Sequence, residues 1–147
     1  MSLKVEDIMI KDVITVGAEA TVREATKLMY KHDIGCLVVM RRGKPVGIVT
    51  ERDMLKRVLL KSKDPRKTRV DKIMSKPLVV GEPQTDIRDA VRLMIEGKIK
   101  RLPIVEDGHL LGLVNFPDIV RSSAYFEHII SSFCSKCPRR TSHSDSH

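Results

Sequence analysis

Apolar positions along the chain come first as short runs of strand length, then at helical spacing, then as two more short runs, and the whole succession occurs twice. Val13-Ile14-Thr15-Val16 is rich in β-branched residues and predicts a strand. Thr21-Val22-Arg23-Glu24 follows, a hydroxyl three residues ahead of a glutamate, which is the arrangement of a capping box at a helix N-terminus. Val22, Ala25 and Met29, with Leu28 beside them, fall on one face of that helix. Cys36 to Met40 is an apolar run, Arg42-Gly43-Lys44-Pro45 predicts a turn, and Val46-Gly47-Ile48-Val49 predicts a strand leading into a helix from Thr50. Downstream the order returns: a run at Leu78-Val79-Val80, then a helix opened by Asp86 with its stripe at Ile87, Ala90, Val91 and Met94. The run Leu102–Val105, a turn at Glu106-Asp107-Gly108, a strand over Leu110–Val114 and a helix from Asn115 complete it.

The recurrence extends to identities at a constant offset of 65 residues. Val5-Glu6-Asp7-Ile8-Met9 meets Val70-Asp71-Lys72-Ile73-Met74, Leu28-Met29 meets Leu93-Met94, and Gly43, Gly47, Val49 and Asp53 meet Gly108, Gly112, Val114 and Asp118. Internal similarity of this kind marks a duplicated unit. Each copy reads β-α-β-β-α, so the fold class is α+β. One unit alone leaves a sheet face bare, and two units packed sheet to sheet are expected to share a single core. The last helix of the first unit is expected to bury Met54, Leu55, Val58 and Leu59.

Chemistry concentrates where the third strand enters its helix, at Gly47-Ile48-Val49-Thr50-Glu51-Arg52-Asp53 and Gly112-Leu113-Val114-Asn115-Phe116-Pro117-Asp118. Thr or Asn caps a helix, free N–H groups and the dipole there favour an anion, and a carboxylate one turn in can accept both hydrogen bonds of a vicinal diol such as a ribose. Two readings stand at this point: an ordinary capping pair, or a ribose-and-phosphate site.

These motifs together resemble the tandem cystathionine-β-synthase (CBS) domain pair, also called a Bateman module, over residues 5–121. The resemblance is carried by the V-x-D-I-M opening at Val5, Asp33-Ile34-Gly35-Cys36-Leu37, Leu102-Pro103-Ile104-Val105 and Gly47-Ile48-Val49-Thr50-x-x-Asp53. It implies CBS repeats at 5–60 and 70–122, a basic linker at 61–69, and a C-terminal helix and tail at 123–147. It also implies two units about a pseudo-two-fold axis with one adenosine-nucleotide site per unit, and a regulatory, non-catalytic role. Carried over residue by residue, one site combines Ile48, Thr50, Arg52 and Asp53 with Met74, Val79, Ile99, Lys100 and Arg101. The other combines Leu113, Asn115, Pro117 and Asp118 with Met9, Ile14, Ile34, Gly35 and Cys36. The family's Asp holds the ribose and its Ser or Thr lies near the phosphate. Asn115 and Pro117 depart from that pattern, and Pro removes an N–H donor, so the Asp53 site is expected to be the stronger phosphate site. The implied ligand is AMP, ADP, ATP or a related adenosine compound such as S-adenosylmethionine, with no required cofactor. The implied assembly is a homodimer acting on a further regulated protein.

Composition adjusts this picture at three points. The chain has 147 residues and a net charge of +8, which by itself suggests a polyanionic partner. The excess, however, lies at the end of the first repeat and in the linker: residues 56–69 carry +6, whereas residues 5–55 are neutral and 70–120 carry −1. A nucleic-acid-associated role through the linker and tail is therefore the alternative reading, and the aromatic content of 3% offers few stacking platforms. Three Cys give no disulfide framework and point to a reducing, cytoplasmic setting. No run is apolar enough for a membrane span. Apolar positions from Ile119 to Phe133 have helical spacing, and Cys134-Ser135-Lys136-Cys137 is half of a tetrahedral zinc site, with His128, His143 and His147 as further ligand candidates; a metal-binding interaction module is the third reading. No nucleophile–base pair is visible, so no enzyme is expected.

Overall fold

The computed structural model describes residues 3–122. The Cys134–Cys137 pair, the tail histidines and most of the predicted C-terminal helix lie outside them. The first repeat comprises β1 (Thr15–Gly17), α1 (Val22–His32), β2 (Cys36–Arg41), β3 (Lys44–Thr50) and α2 (Glu51–Met54), which runs on as a π-helical turn, Leu55–Leu59. The second comprises α3 (Ile87–Gly97), β4 (Arg101–Glu106), β5 (His109–Asn115) and α4 (Phe116–Ser122). The predicted capping box forms on α1: Glu24 N–H donates to Thr21 Oγ1, and Thr21 N–H to the Glu24 carboxylate. Asp86 caps α3 by accepting from Arg88 N–H. Both hairpins turn through two successive left-handed residues, Arg42-Gly43 and Asp107-Gly108, as the right-handed twist of paired strands requires.

β1, β2 and β3 form one sheet, with β1 parallel to β2 and β2 antiparallel to β3; β4 and β5 form the other. Residues 78–80, expected as a strand, do not form one. Pairing there shrinks to a single parallel bridge between Gly81 and Ile104. Pro103 occupies the place that Val38 holds in the first repeat, and a proline brings no N–H to the ladder.

The expected single core resolves into three clusters. Each sheet packs one face on its own helix, Leu37, Val39 and Val49 against Val22, Ala25 and Met29, and Leu102, Ile104 and Val114 against Ile87, Ala90 and Met94. The facing sheets meet through a smaller third cluster of Cys36, Val38 and Leu113. The opening segments are exchanged between these bodies. Val70, Ile73 and Met74 complete the core of the first repeat, and Val5, Ile8 and Met9 that of the second. Backbone pairs fix the exchange: Ile48 and Ser75 each donate to the other's carbonyl, as do Ile10 and Leu113. The last helix of the first repeat differs from expectation. Val58 is buried, but Leu55, Leu59 and Leu60 are 57%, 70% and 78% exposed, because only the edge carrying Met54 and Val58, one turn apart, meets the first core.

The linker is docked rather than free: Val22 N–H donates to the Thr68 carbonyl and Arg23 N–H to that of Pro65. Beside it, Asp71 accepts from Arg69 at 2.6 Å and from Arg41 at 2.8 Å. Burial opposes ionisation of Asp71, but the Arg69 hydrogen bond and the two guanidinium charges prevail and hold its carboxyl below the usual range. A group whose folded pKa is depressed stabilises the fold above its unfolded pKa and loses that contribution as pH falls through the folded value. Asp71→Asn is therefore expected to lower the melting temperature at pH 7. Its difference from wild type should close as the pH drops below about 4, the ordinary aspartate value, in thermal melts recorded across pH.

Candidate functional site

A cleft of about 420 Å³ opens between the β3–α2 junction of the first repeat and residues 98–101 of the second. Ile48 and Ile99 supply apolar wall, and Thr50, Asp53 and Ser75 line it with oxygen. Six cations, Arg52, Lys56, Arg57, Lys98, Lys100 and Arg101, face two carboxylates, Glu51 and Asp53. Arg57 is committed to structure, donating to the carbonyls of Ile73 and Met74. Among the described residues Arg52, Lys56, Lys98 and Lys100 join no ion pair.

Asp53 is the one buried charged residue among those described, 5% exposed. Its Oδ2 accepts from Thr50 N–H at 2.9 Å and from the Thr50 hydroxyl at 3.1 Å, and its Oδ1 from the Ser75 hydroxyl at 3.0 Å. Arg57 Nε stands 3.9 Å from Oδ1. Asp53 N–H in turn donates to Thr50 Oγ1 and Glu51 N–H to the Gly35 carbonyl. The capping reading of Thr50 and Asp53 thus describes real bonds, and it has a consequence for anions. Two of the N–H groups that begin α2, those of Glu51 and Asp53, are spent within the protein, so most of the positive charge in this cleft comes from side chains.

The second site has no single counterpart. One cavity of about 270 Å³ is lined by Ile10, Asp12, Val13, Ile14, Asp33, Ile34, Gly35, Cys36, Leu113 and Asn115, and a separate one of about 210 Å³ by Lys100, Asn115, Pro117, Asp118 and Arg121; Arg101 lines both. The charge difference between the sites is already built into the helix ends. Lys98 caps α3 in left-handed conformation and faces the first cleft, while Asp33, the same position of α1, faces the second. Burial pushes the Cys36 thiol pKa up, partly offset by the charge and hydrogen bond of Arg101. Asn115 Oδ1 is buried with no hydrogen-bond donor among the described residues.

Of the residues read from the sequence, the first cleft brings together Ile48, Thr50, Arg52, Asp53, Ile99, Lys100 and Arg101. The second brings together Ile14, Ile34, Gly35, Cys36, Leu113 and Asn115, with Asp118 in the adjoining cavity. Met74, Val79 and Met9 line none of these cavities. Met74 and Met9 turn into the two cores over Gly47 and Gly112, and Val79 packs against the second core. Sequence reasoning missed Glu51, Ser75 and Lys98, and read Lys56 and Arg57 only as part of the basic stretch 56–69. Arg57 was within reach, four residues beyond Asp53 on one helical face; Ser75 was not, since only the exchange of the opening segments brings it to Asp53.

The family model "CBS domain" matches residues 5–60 and 70–125. An uncharacterized protein of Methanopyrus kandleri, MK0525, is 36% identical over 126 residues, covering 84% of this chain; the chain spans 64% of that protein's length. The CBS domain-containing protein YhcV of Bacillus subtilis is 37% identical over 115 residues, 78% of this chain and 81% of YhcV. Among solved structures, a hexameric CBS-CP12 protein from bloom-forming cyanobacteria superposes with a TM-score of 0.79 at 32% identity, covering 92% of this chain and 89% of that one. The CBS domain pair of protein MJ0100, solved with 5-methylthioadenosine and S-adenosyl-L-methionine, superposes with a TM-score of 0.75 at 28% identity, covering 82% of this chain and 95% of that one.

Proposed function

The chain belongs to the CBS-domain family, with two of its domains in tandem, and from that premise we propose that it is a non-catalytic regulatory module whose first cleft binds an adenosine nucleotide. The observation that carries this reading is the cation set of the first cleft beside the Asp53 carboxylate. The adenine lies against Ile48 and Ile99, a ribose hydroxyl reaches Asp53 Oδ1, and the phosphates meet Arg52, Lys56, Lys98 and Lys100. Each carboxylate oxygen has two acceptor directions, so Oδ1 can take a ribose hydroxyl beside Ser75. With several free cations, the cleft favours di- and triphosphates over a monophosphate. The second cleft, with Asp12 and Asp33 on its wall, suits a less charged adenosine compound. That the MJ0100 pair binds 5-methylthioadenosine and S-adenosyl-L-methionine supports an adenosine scaffold.

Self-association, with a homodimer as its simplest form, is favoured by the exposed leucines Leu55, Leu59 and Leu60. No helix among the described residues is long and apolar enough to cross a membrane. Regulation requires that ligand binding favour one of two states of the module toward its partner protein.

A ligand that binds only the folded chain raises its melting temperature. ATP is expected to do so for wild type, and the combined Asp53→Ala and Asp118→Ala variant is expected to lose the shift. A double variant that melts higher with ATP by the same amount as wild type would refute the assignment of ribose to these carboxylates.

A further inference from the structure

Stepping the first cleft forward or back by 65 residues turns Ile48, Thr50, Asp53 and Ile99 into Leu113, Asn115, Asp118 and Ile34. Those residues line the two smaller cavities taken together. The second cleft is therefore the mate of the first, cut in two, and two side chains are common to both halves, Asn115 and Arg101, of which only Arg101 is charged. Arg101 also lines the first cleft. It begins β4 opposite Asn115, and its guanidinium reaches across to the first repeat, where it lines the second cleft with Gly35 and Cys36. The space it enters is that of Gly35: a Cβ there would stand 3.3 Å from Arg101 Nη2 and 3.2 Å from Glu51 Oε1. A guanidinium has five N–H donors and is a strong partner for phosphate oxygens, whereas a thiol is a weak acceptor. Among the described residues Arg101 forms no salt bridge. It is a half-buried cation with a poor partner, within reach of a cleft suited to polyanions.

We propose that Arg101 is the specificity-determining residue of the paired clefts: it partitions the second cleft, and an anion held in the first draws it away, opening the second to an uncharged adenosine-type ligand. This role rests on the first cleft being an anion site. Once Arg101 withdraws from Cys36, the two smaller cavities join, and the second cleft loses a cation while keeping Asp12 and Asp33. Phosphates are then disfavoured there and a neutral nucleoside is admitted, with its hydroxyls or amino group available to the orphaned Asn115 Oδ1. By linkage, a nucleoside in the second cleft strengthens anion binding in the first by the same factor.

The test uses the full chain with 13C-labelled Ile and Leu methyl groups and inorganic tripolyphosphate as the probe. In wild type, saturation should move the Ile48 and Ile99 signals of the first cleft and, along the same binding curve, the Ile34 and Leu113 signals of the second. In Arg101→Met the first pair should still move at saturating probe while the second pair stays still. Arg101→Lys, which keeps the charge, should restore movement of the second pair. Adenosine should shift Ile34 and Leu113 at lower concentration in Arg101→Met than in wild type. If Ile48 and Ile99 respond while Ile34 and Leu113 do not, or if the second pair responds equally in Arg101→Met, Arg101 does not have this role. If Ile48 and Ile99 fail to respond as well, the first cleft is not an anion site and its reading falls too.

Discussion

Asp53→Ala is expected to lower the stability of the chain by about 3 kcal/mol, since the donors left behind, Thr50 N–H and the Thr50 and Ser75 hydroxyls, each lose a charged acceptor in a confined site. The same change is expected to weaken nucleotide binding by about ten- to a hundredfold, the equivalent of losing one hydrogen bond to a charged group. Asp53→Asn separates the two effects. Its amide oxygen can still accept from the Thr50 donors, so most of the stability should return, while a neutral amide remains a poor acceptor for a ribose hydroxyl. Chemical denaturation and titration of both variants check this. A stable Asp53→Ala chain would mean that the buried network is not a structural tie. An Asp53→Asn chain with wild-type affinity would mean that the carboxylate does not meet the ligand.

The second large effect is expected at Gly112, where the constraint comes from close approach. A Cβ there would lie 2.5 Å from Met9 Sδ and 2.9 Å from the Ile10 carbonyl oxygen. Methionine can turn aside, but the Ile10 carbonyl is held by the Leu113 N–H, so the backbone pair itself must shift. Gly112→Ala is therefore expected to cost about 2 kcal/mol as overpacking, several degrees in melting temperature for a domain of this size. Protection of the amides of Ile10 and Leu113 in hydrogen exchange should fall with it. Gly47→Ala, with the Ser75 carbonyl oxygen at 3.1 Å, should be milder in stability, but it displaces the segment that carries Ser75 to Asp53. Full retention of stability in Gly112→Ala would show that the N-terminal segment is not locked onto β5.

What the sequence made legible follows from how local each feature is. The capping box of Thr21 and Glu24, the Asp86 cap and the two glycine turns each lie within a few residues, and all formed as read. The duplication made the pairing of Gly47 with Gly112 visible, but their reason, a crossing methionine from the other opening segment, is a long-range contact that no local pattern contains. The same exchange hid Ser75 and sent Met9 and Met74 into the cores. Residues 78–80 have the composition of a strand, and the missing partner N–H belongs to Pro103, more than twenty residues on. The inequality of the two sites was read from Asn115 and Pro117, while its largest electrostatic source, Lys98 in one copy against Asp33 in the other, became apparent only when both helix ends were seen to face their clefts.

The most direct measurement is isothermal titration of the intact chain with ATP, ADP and AMP at one ionic strength. Charge-assisted bonds to phosphate contribute about 1.5–3 kcal/mol each, and 1.4 kcal/mol is a factor of ten in affinity. The first cleft should accordingly bind ATP at least about tenfold more tightly than AMP, with ADP between them, and that preference should shrink when Lys98 and Lys100 are both replaced by alanine. Absence of binding by all three nucleotides, or equal affinities for ATP and AMP, would contradict the account of a cleft built to hold a nucleotide by its phosphates.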